Sequence, residues 1–190
     1  LASGSAETSG LKITAPQFTS GDLKGSVTFD AALKYDGPSG TLALSDLKAL
    51  TNVGGGALGD KPTEIQTKAK SLNVNTKTMD VEMDALTSTI AKFEHDGMTG
   101  NVTTTTSLRY QGKTGDVQAS ALHVAGKLSG GPIGKGSLPF VFKGPLRFDA
   151  KAGRVLVPGM ALALEKFNVD ETRGTLRASG DASFELAKQR

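Results

Sequence analysis

Few residues in this chain are equipped for chemistry. It holds two histidines, His95 and His123, and no cysteine or tryptophan. A thiol nucleophile, a thiolate metal site and a disulfide are thereby excluded. His95 stands in Glu94-His95-Asp96-Gly97, residue types that suit a divalent metal or a general base. Neighbours in a turn point apart, however, and do not close around one ion unaided. No second cluster is present for them to meet, so the run reads as a polar surface turn and no metal is expected. No Gly-x-Ser-x-Gly elbow accompanies the histidines, and the carboxylates fall on turns and strand surfaces. No catalytic residue and no enzyme activity are expected on that basis.

Two glycine-rich stretches resemble nucleotide loops in text alone. Gly54-x-Gly56-x-x-Gly59 matches a dinucleotide fingerprint, but that motif needs a helix to open directly after it, with its N-terminus on the pyrophosphate. Asp60-Lys61-Pro62 and an alternating run follow instead, which describes a loop. In residues 129–137, SGGPIGKGS, Lys135 precedes Gly136 where a phosphate loop needs Ser or Thr. A linker explains it better, and no cofactor is expected. Asn101-Val102-Thr103 matches a glycosylation acceptor, a triplet frequent by chance. The net charge of +3 comes from interspersed Lys, Arg, Asp and Glu, with no basic run and no aromatic interleaving. This is the pattern of ordinary solubility, and no nucleic-acid partner is expected.

The strongest feature is repetition. Residues 25–47, GSVTFDAALKYDGPSGTLALSDL, recur as residues 100–122, GNVTTTTSLRYQGKTGDVQASAL. Adding 75 carries Gly25 to Gly100, Leu33 to Leu108, Tyr35 to Tyr110, Gly40 to Gly115 and Leu47 to Leu122 without a gap. A weaker copy at residues 146–160 puts Phe148 for Tyr35 and Gly153 for Gly40, an offset of 153 − 40 = 113. A degenerate copy lies midway, at Leu72, Val74, Met79, Val81, Met83 and Leu86. Units of about 38 residues indicate a modular array.

Each unit reads as a β-hairpin. Val27, Phe29, Ala31, Leu33 and Tyr35 alternate with Thr28, Asp30, Ala32 and Lys34, the period of a strand with one apolar face. Gly37-Pro38-Ser39-Gly40 then reverses the chain, and Leu42 and Leu44 resume the alternation. Hairpin units are placed at about 21–50, 63–93, 98–128 and 138–187, inside one domain covering 11–190 and preceded by a flexible lead at 1–10. Residues 45–51 read as strand, with Ser45 as a competing helix cap. Pro145, inside an apolar run, marks a bulge or an edge. The fold class is all-β: an antiparallel meander of hairpins forming a curved, twisted sheet or trough, β-taco or sandwich-like. Only 37% of residues are hydrophobic, which suits a sheet with one apolar face better than a thick closed core.

The closing stretch, PLRFDAKAGRVLVPGMAL at 145–162, followed by GTLRASGDA at 174–182, resembles the AsmA family of periplasmic β-repeat proteins. The likeness is clearest over 138–185. It implies a long curved sheet with an apolar trough, in a protein anchored in the inner membrane of Gram-negative bacteria and extending into the periplasm. It further implies a role in outer-membrane biogenesis through phospholipid transport and homeostasis. The anchor would lie in a segment outside this sequence, which begins like an excised portion of a larger protein. The residues expected to line the trough are Val27, Phe29, Leu33, Tyr35, Leu42, Leu44, Phe140, Phe142, Phe148, Val155 and Val157, with Val102 and Leu108 on the same alternation. Burying one CH₂ of an acyl chain is worth about 0.8 kcal/mol, so such a trough needs no polar site. The same side chains closing on one another as a core, in a structural or adhesive β-repeat module of a surface or secreted protein, is the competing expectation.

Overall fold

The computed structural model describes residues 4–56, 59, 61–169 and 171–186. They form one ten-stranded antiparallel sheet in strict sequence order, not closed into a barrel. The strands are β1 (Ser5–Ser20), β2 (Leu23–Asp36), β3 (Thr41–Gly54), β4 (Thr63–Asn75) and β5 (Asp80–His95). Then follow β6 (Met98–Tyr110), β7 (Val117–Gly130), β8 (Ser137–Asp149), β9 (Arg154–Val169) and β10 (Thr172–Glu185). The expected flexible lead is corrected at Ser5–Gly10, which belong to β1 and pair with the end of β2, Ser5 facing Asp36. Residues 1–3 of that lead lie outside the described residues. Residues 45–51 are strand, as expected, and Pro145 sits where the β8–β9 register shifts between Lys143 and Arg147.

The complete repeat is four strands. Adding 75 to β1 (5–20) gives 80–95, the bounds of β5, and adding 75 to β2 (23–36) gives 98–111, against 98–110 for β6. The 38-residue unit is the half-repeat. Its mark is a turn closing β2, β4, β6 and β8 at one rim of the sheet. Gly40, Met79, Gly115 and Gly153 take a left-handed conformation there (φ 69°, 61°, 77° and 62°). In the first three, that residue's N–H bonds back to the carbonyl of Asp36, Asn75 or Gln111 at 2.7–2.8 Å. At the opposite rim, two-residue turns after β1, β5 and β9 alternate with longer loops after β3 and β7.

A line of irregularities runs across the middle of the sheet, passing β4 without a register shift. Ladder registers shift at Asp30/Ala32, Met83/Leu86, Thr105/Ser107, Ala119/Leu122 and Gly180/Ala182. On the odd strands the line carries a left-handed residue: Asp46 (φ 53°) on β3, Ala85 (50°) on β5, Ala121 (51°) on β7 and Gly159 (58°) on β9. Bulges bend a strand and increase its twist, so an aligned series of them creases the sheet. Backbone groups released from the ladder find side-chain partners. Ser107 Oγ accepts the Ala85 N–H (3.3 Å), Thr106 Oγ1 donates to the Ser120 carbonyl (2.9 Å), and Asp181 Oδ1 accepts the Gly159 N–H (2.7 Å). The crease also holds the core. Ala31, Leu47, Ala69, Thr106, Ala119 and Val157 are buried along it. The first three pack together, with Phe29, Leu44, Leu72, Met83 and Leu86 against them.

That core is thin. No large side chain falls below 2% exposure among the described residues. The molecule exposes 12283 Å², against about 8,600 Å² for a compact monomer of its mass. At the rim of the two-residue turns, phenylalanines fill gaps left by glycines across the ladder. Phe18 faces Gly25, Phe93 faces Gly100, Phe140 faces Gly126 and Phe167 faces Gly174. A Cβ on Gly100 would lie 2.7 Å from the Phe93 ring. The aromatic ring substitutes for the missing side chain, a known device for glycine in strands.

The crease makes backbone conformation a stability determinant. Ala121→Val forces a β-branched residue into the left-handed region and is expected to cost about 1–3 kcal/mol. Ala125→Val, on the same strand with ordinary backbone, is expected to change stability by less than about 0.5 kcal/mol. Urea unfolding monitored by circular dichroism measures both.

Candidate functional site

Alternation and register together put all thirteen expected trough residues on one face. Reading across the rim that carries the 38-residue turns, Ala6, Tyr35, Leu42, Val74, Val81 and Tyr110 stand side by side, each opposite the next. The row continues through Val117, Phe148, Val155 and Phe184. It spans nine strand spacings, about 43 Å. One step toward the crease, Leu33, Leu44, Leu72, Met83, Leu108, Ala119 and Leu146 form a second row with no polar side chain. Beyond the crease the face is mixed. Phe29 and Ala49 lead to Thr67, Ser88 and Thr104 before Val124, Phe142 and Leu162 restore apolar character. Thr67 and Ser88 satisfy each other through a 3.0 Å hydroxyl–hydroxyl hydrogen bond. Val27, Val102 and Phe140 lie farther along that half, near the two-residue turns.

Among the eleven principal trough residues, only Val157 is buried, at 5% exposure, and it belongs to the crease. The other ten are half-buried, packed sideways on their neighbours with one flank uncovered. The structure thus groups the expected residues on one face and divides that face into an apolar half and a mixed half. Sequence reading missed the contribution of Leu47, Leu86, Leu122 and Leu162. A left-handed residue just before Leu47, Leu86 and Leu122 slips the period-two phase by one, and the alternation read from Leu42 and Leu44 would put Leu47 on the other face. The Phe-x₆-Gly spacing at 18/25, 93/100 and 167/174 was legible in the sequence and marks each two-residue-turn hairpin.

The opposite face is polar and carries Asp30, Lys48 and Lys68 in adjacent register. A groove of about 530 Å³ lies on it between β7 and β10, bordered by His123, Lys143 and an Arg177–Glu165 ion pair of 2.8 Å. The candidate metal cluster is resolved into separate contacts. Glu94 Oε1 takes Lys61 Nζ at 2.7 Å, while His95 Nε2 lies 3.2 Å from Asp96 Oδ2. Among the described residues, no group of three His, Cys, Asp or Glu could hold a metal ion. After Gly54, Gly56 and Gly59 no helix opens; Gly55 N–H bonds to the Gly59 carbonyl at 2.6 Å, closing a loop that leads to β4. Residues 57, 58 and 60 of that motif lie outside the described residues. Residues 131–133 of the second glycine-rich stretch form a single 3₁₀ turn.

The rim beside the apolar rows is stapled turn to turn. The Gly112 N–H donates to Asp80 Oδ1 (2.9 Å), the Ala150 N–H to Asp116 Oδ1 (3.0 Å), and the Thr76 N–H to the Gly40 carbonyl (2.8 Å). Hydrogen bonds at this rim hold three carboxyls, Asp36, Asp80 and Asp116, below the ordinary aspartate value of 3.8. The Thr78 hydroxyl and the Gly112 N–H lower Asp80, and the Ala150 N–H and Thr114 lower Asp116. Asp36 is lowered first by the Ser39 hydroxyl within its own turn.

Comparison of the chain with protein-family models, with curated proteins and with solved structures returns no match.

A depressed folded-state value means the carboxylate stabilises the fold above the unfolded value and loses that contribution as pH falls through the lower, folded value. Thermal stability is therefore expected to hold down to about pH 4 and to decline below 3.8 as the staples protonate. The Asp80→Asn/Asp116→Asn variant should start less stable at pH 7 and decline less over the same interval. Melting followed by circular dichroism at stepped pH tests this.

Proposed function

We propose that the apolar half of this sheet receives phospholipid acyl chains. In this reading the chain is a periplasmic portion of an AsmA-like envelope protein serving outer-membrane biogenesis and phospholipid transport. Its membrane tether belongs to a segment outside this sequence. The carrying observation is the pair of uninterrupted apolar rows, Tyr35 to Phe184 and Leu33 to Leu146, on a sheet that no second layer covers among the described residues. Hydrocarbon needs area and not directed bonds, and each buried methylene contributes about 0.8 kcal/mol. The rows run across the strands, so an acyl chain lying along them meets side chains and no open backbone. The resemblance noted at residues 138–185 points to the same use. A structural β-repeat module is the second reading, favoured by the stapled rim, which stiffens the array whatever lies in it.

Native mass spectrometry of the protein, purified without detergent and mixed with phospholipid vesicles, distinguishes the two. Bound phospholipid is expected for the parent chain and is expected to be lost in Leu108→Asp/Phe148→Asp, one change in each apolar row, with circular dichroism confirming that the sheet persists. A folded parent chain that never carries lipid moves the assignment to the structural module.

A further inference from the structure

Among the described residues, the outermost strands of the sheet are β1 and β10: β1 pairs only with β2 and β10 only with β9. Unpaired strand edges are templates for a further strand. These two also expose apolar side chains on the same face: Ile13 at 52% on β1, and Leu176 at 49% and Phe184 at 59% on β10.

The repeat says what each edge accepts. β1 is the 75-residue equivalent of β5, whose other neighbour is β4, an even strand with an apolar residue at its rim end. β10 is the equivalent of β6, an even strand of the same half-repeat class, whose other neighbour is the odd strand β7. Each free edge therefore has the form that elsewhere in the chain binds a strand like the other one. The even strand count keeps the order antiparallel when β10 of one copy meets β1 of the next. The register follows as well. At the rim every even-to-odd step joins residues seven apart: Tyr35 with Leu42, Val74 with Val81, Tyr110 with Val117 and Phe148 with Val155. The last member of that row is Phe184 and the first is Ala6.

From this we infer that copies of this chain associate edge to edge, β10 on β1, with Phe184 of one copy opposite Ala6 of the next. The rim row then runs on across the junction, while the row beside it meets Thr8, which faces Leu33 on β2. The contact is heterologous, so it generates open chains of copies and not closed dimers. Pro16, which offers no N–H on the β1 edge, does not obstruct it. Its 75-residue equivalent is residue 91, and the β4–β5 ladder already ends at Thr89. The inferred ladder needs only the part of β1 equivalent to Asp80–Thr89, residues 5–14. The inference rests on strand register and stands whether or not lipid occupies the face.

Paired cysteines test it, since the chain has none of its own. Under mild oxidation at high protein concentration, Ala6→Cys/Phe184→Cys is expected to give a ladder of covalent multimers that collapses on reduction. Either single variant is expected to stay largely monomeric. Sedimentation of the parent chain should show mass rising with concentration, and Phe184→Lys should suppress that rise. Three results overturn the inference: a folded double variant that stays uncrosslinked, single variants that dimerise as readily, or a fast-migrating monomer showing the two edges joined within one chain.

Discussion

Everything distinctive in this molecule depends on one backbone constraint, a left-handed residue near the middle of the odd strands β3, β5, β7 and β9. Asp46, Ala85 and Ala121 adopt it without being glycine, at a cost of roughly 1–2 kcal/mol each. The bulges they anchor fall in line across the sheet, and the crease gathers small residues such as Ala31, Ala69 and Ala119 into most of the buried apolar packing among the described residues. The polar side chains Thr106, Ser107 and Asp181 belong to the same device, because each bonds a backbone group near the bulges.

The crease also divides the apolar face into unequal halves. Toward the stapled rim, the rows through Tyr35 and Leu33 are wholly apolar; on the other side Thr67, Ser88 and Thr104 interrupt them, and phenylalanine–glycine pairs replace ordinary side-chain packing. Long-range stability is thus carried by hydrogen-bonded ladders and neighbouring side chains, as in repeat proteins whose units touch only their neighbours. Such a fold can leave a large greasy surface uncovered without losing its shape. This is the physical link between the architecture and the proposed lipid use.

Much of the fold was legible because local rules agree with one another there. Alternation in residues 27–35, the turn at Gly37-Pro38-Ser39-Gly40 and the 75-residue echo all specify the same hairpin. Two things were hidden for physical reasons. Ser5–Gly10 carries almost no apolar residue, and it becomes strand by pairing with the end of β2, a long-range effect that local patterning does not reveal. The phase slips at Asp46, Ala85 and Ala121 were hidden because aspartate and alanine do not advertise a left-handed backbone as glycine does. For that reason Leu47, Leu86 and Leu122 escaped the expected trough set, while Val157, which was included, proved to be crease core.

The most direct measurement is photo-crosslinking with a phospholipid whose acyl chain carries a diazirine, followed by peptide mapping of the adducts. Adducts concentrated at Leu44, Leu72, Leu108 and Phe148, with none at the opposite-face residues Lys48, Lys68 and Arg109, are the expected outcome. Labelling spread evenly over both faces, or a folded protein that takes no label, would contradict an acyl-chain role for the apolar half of the sheet.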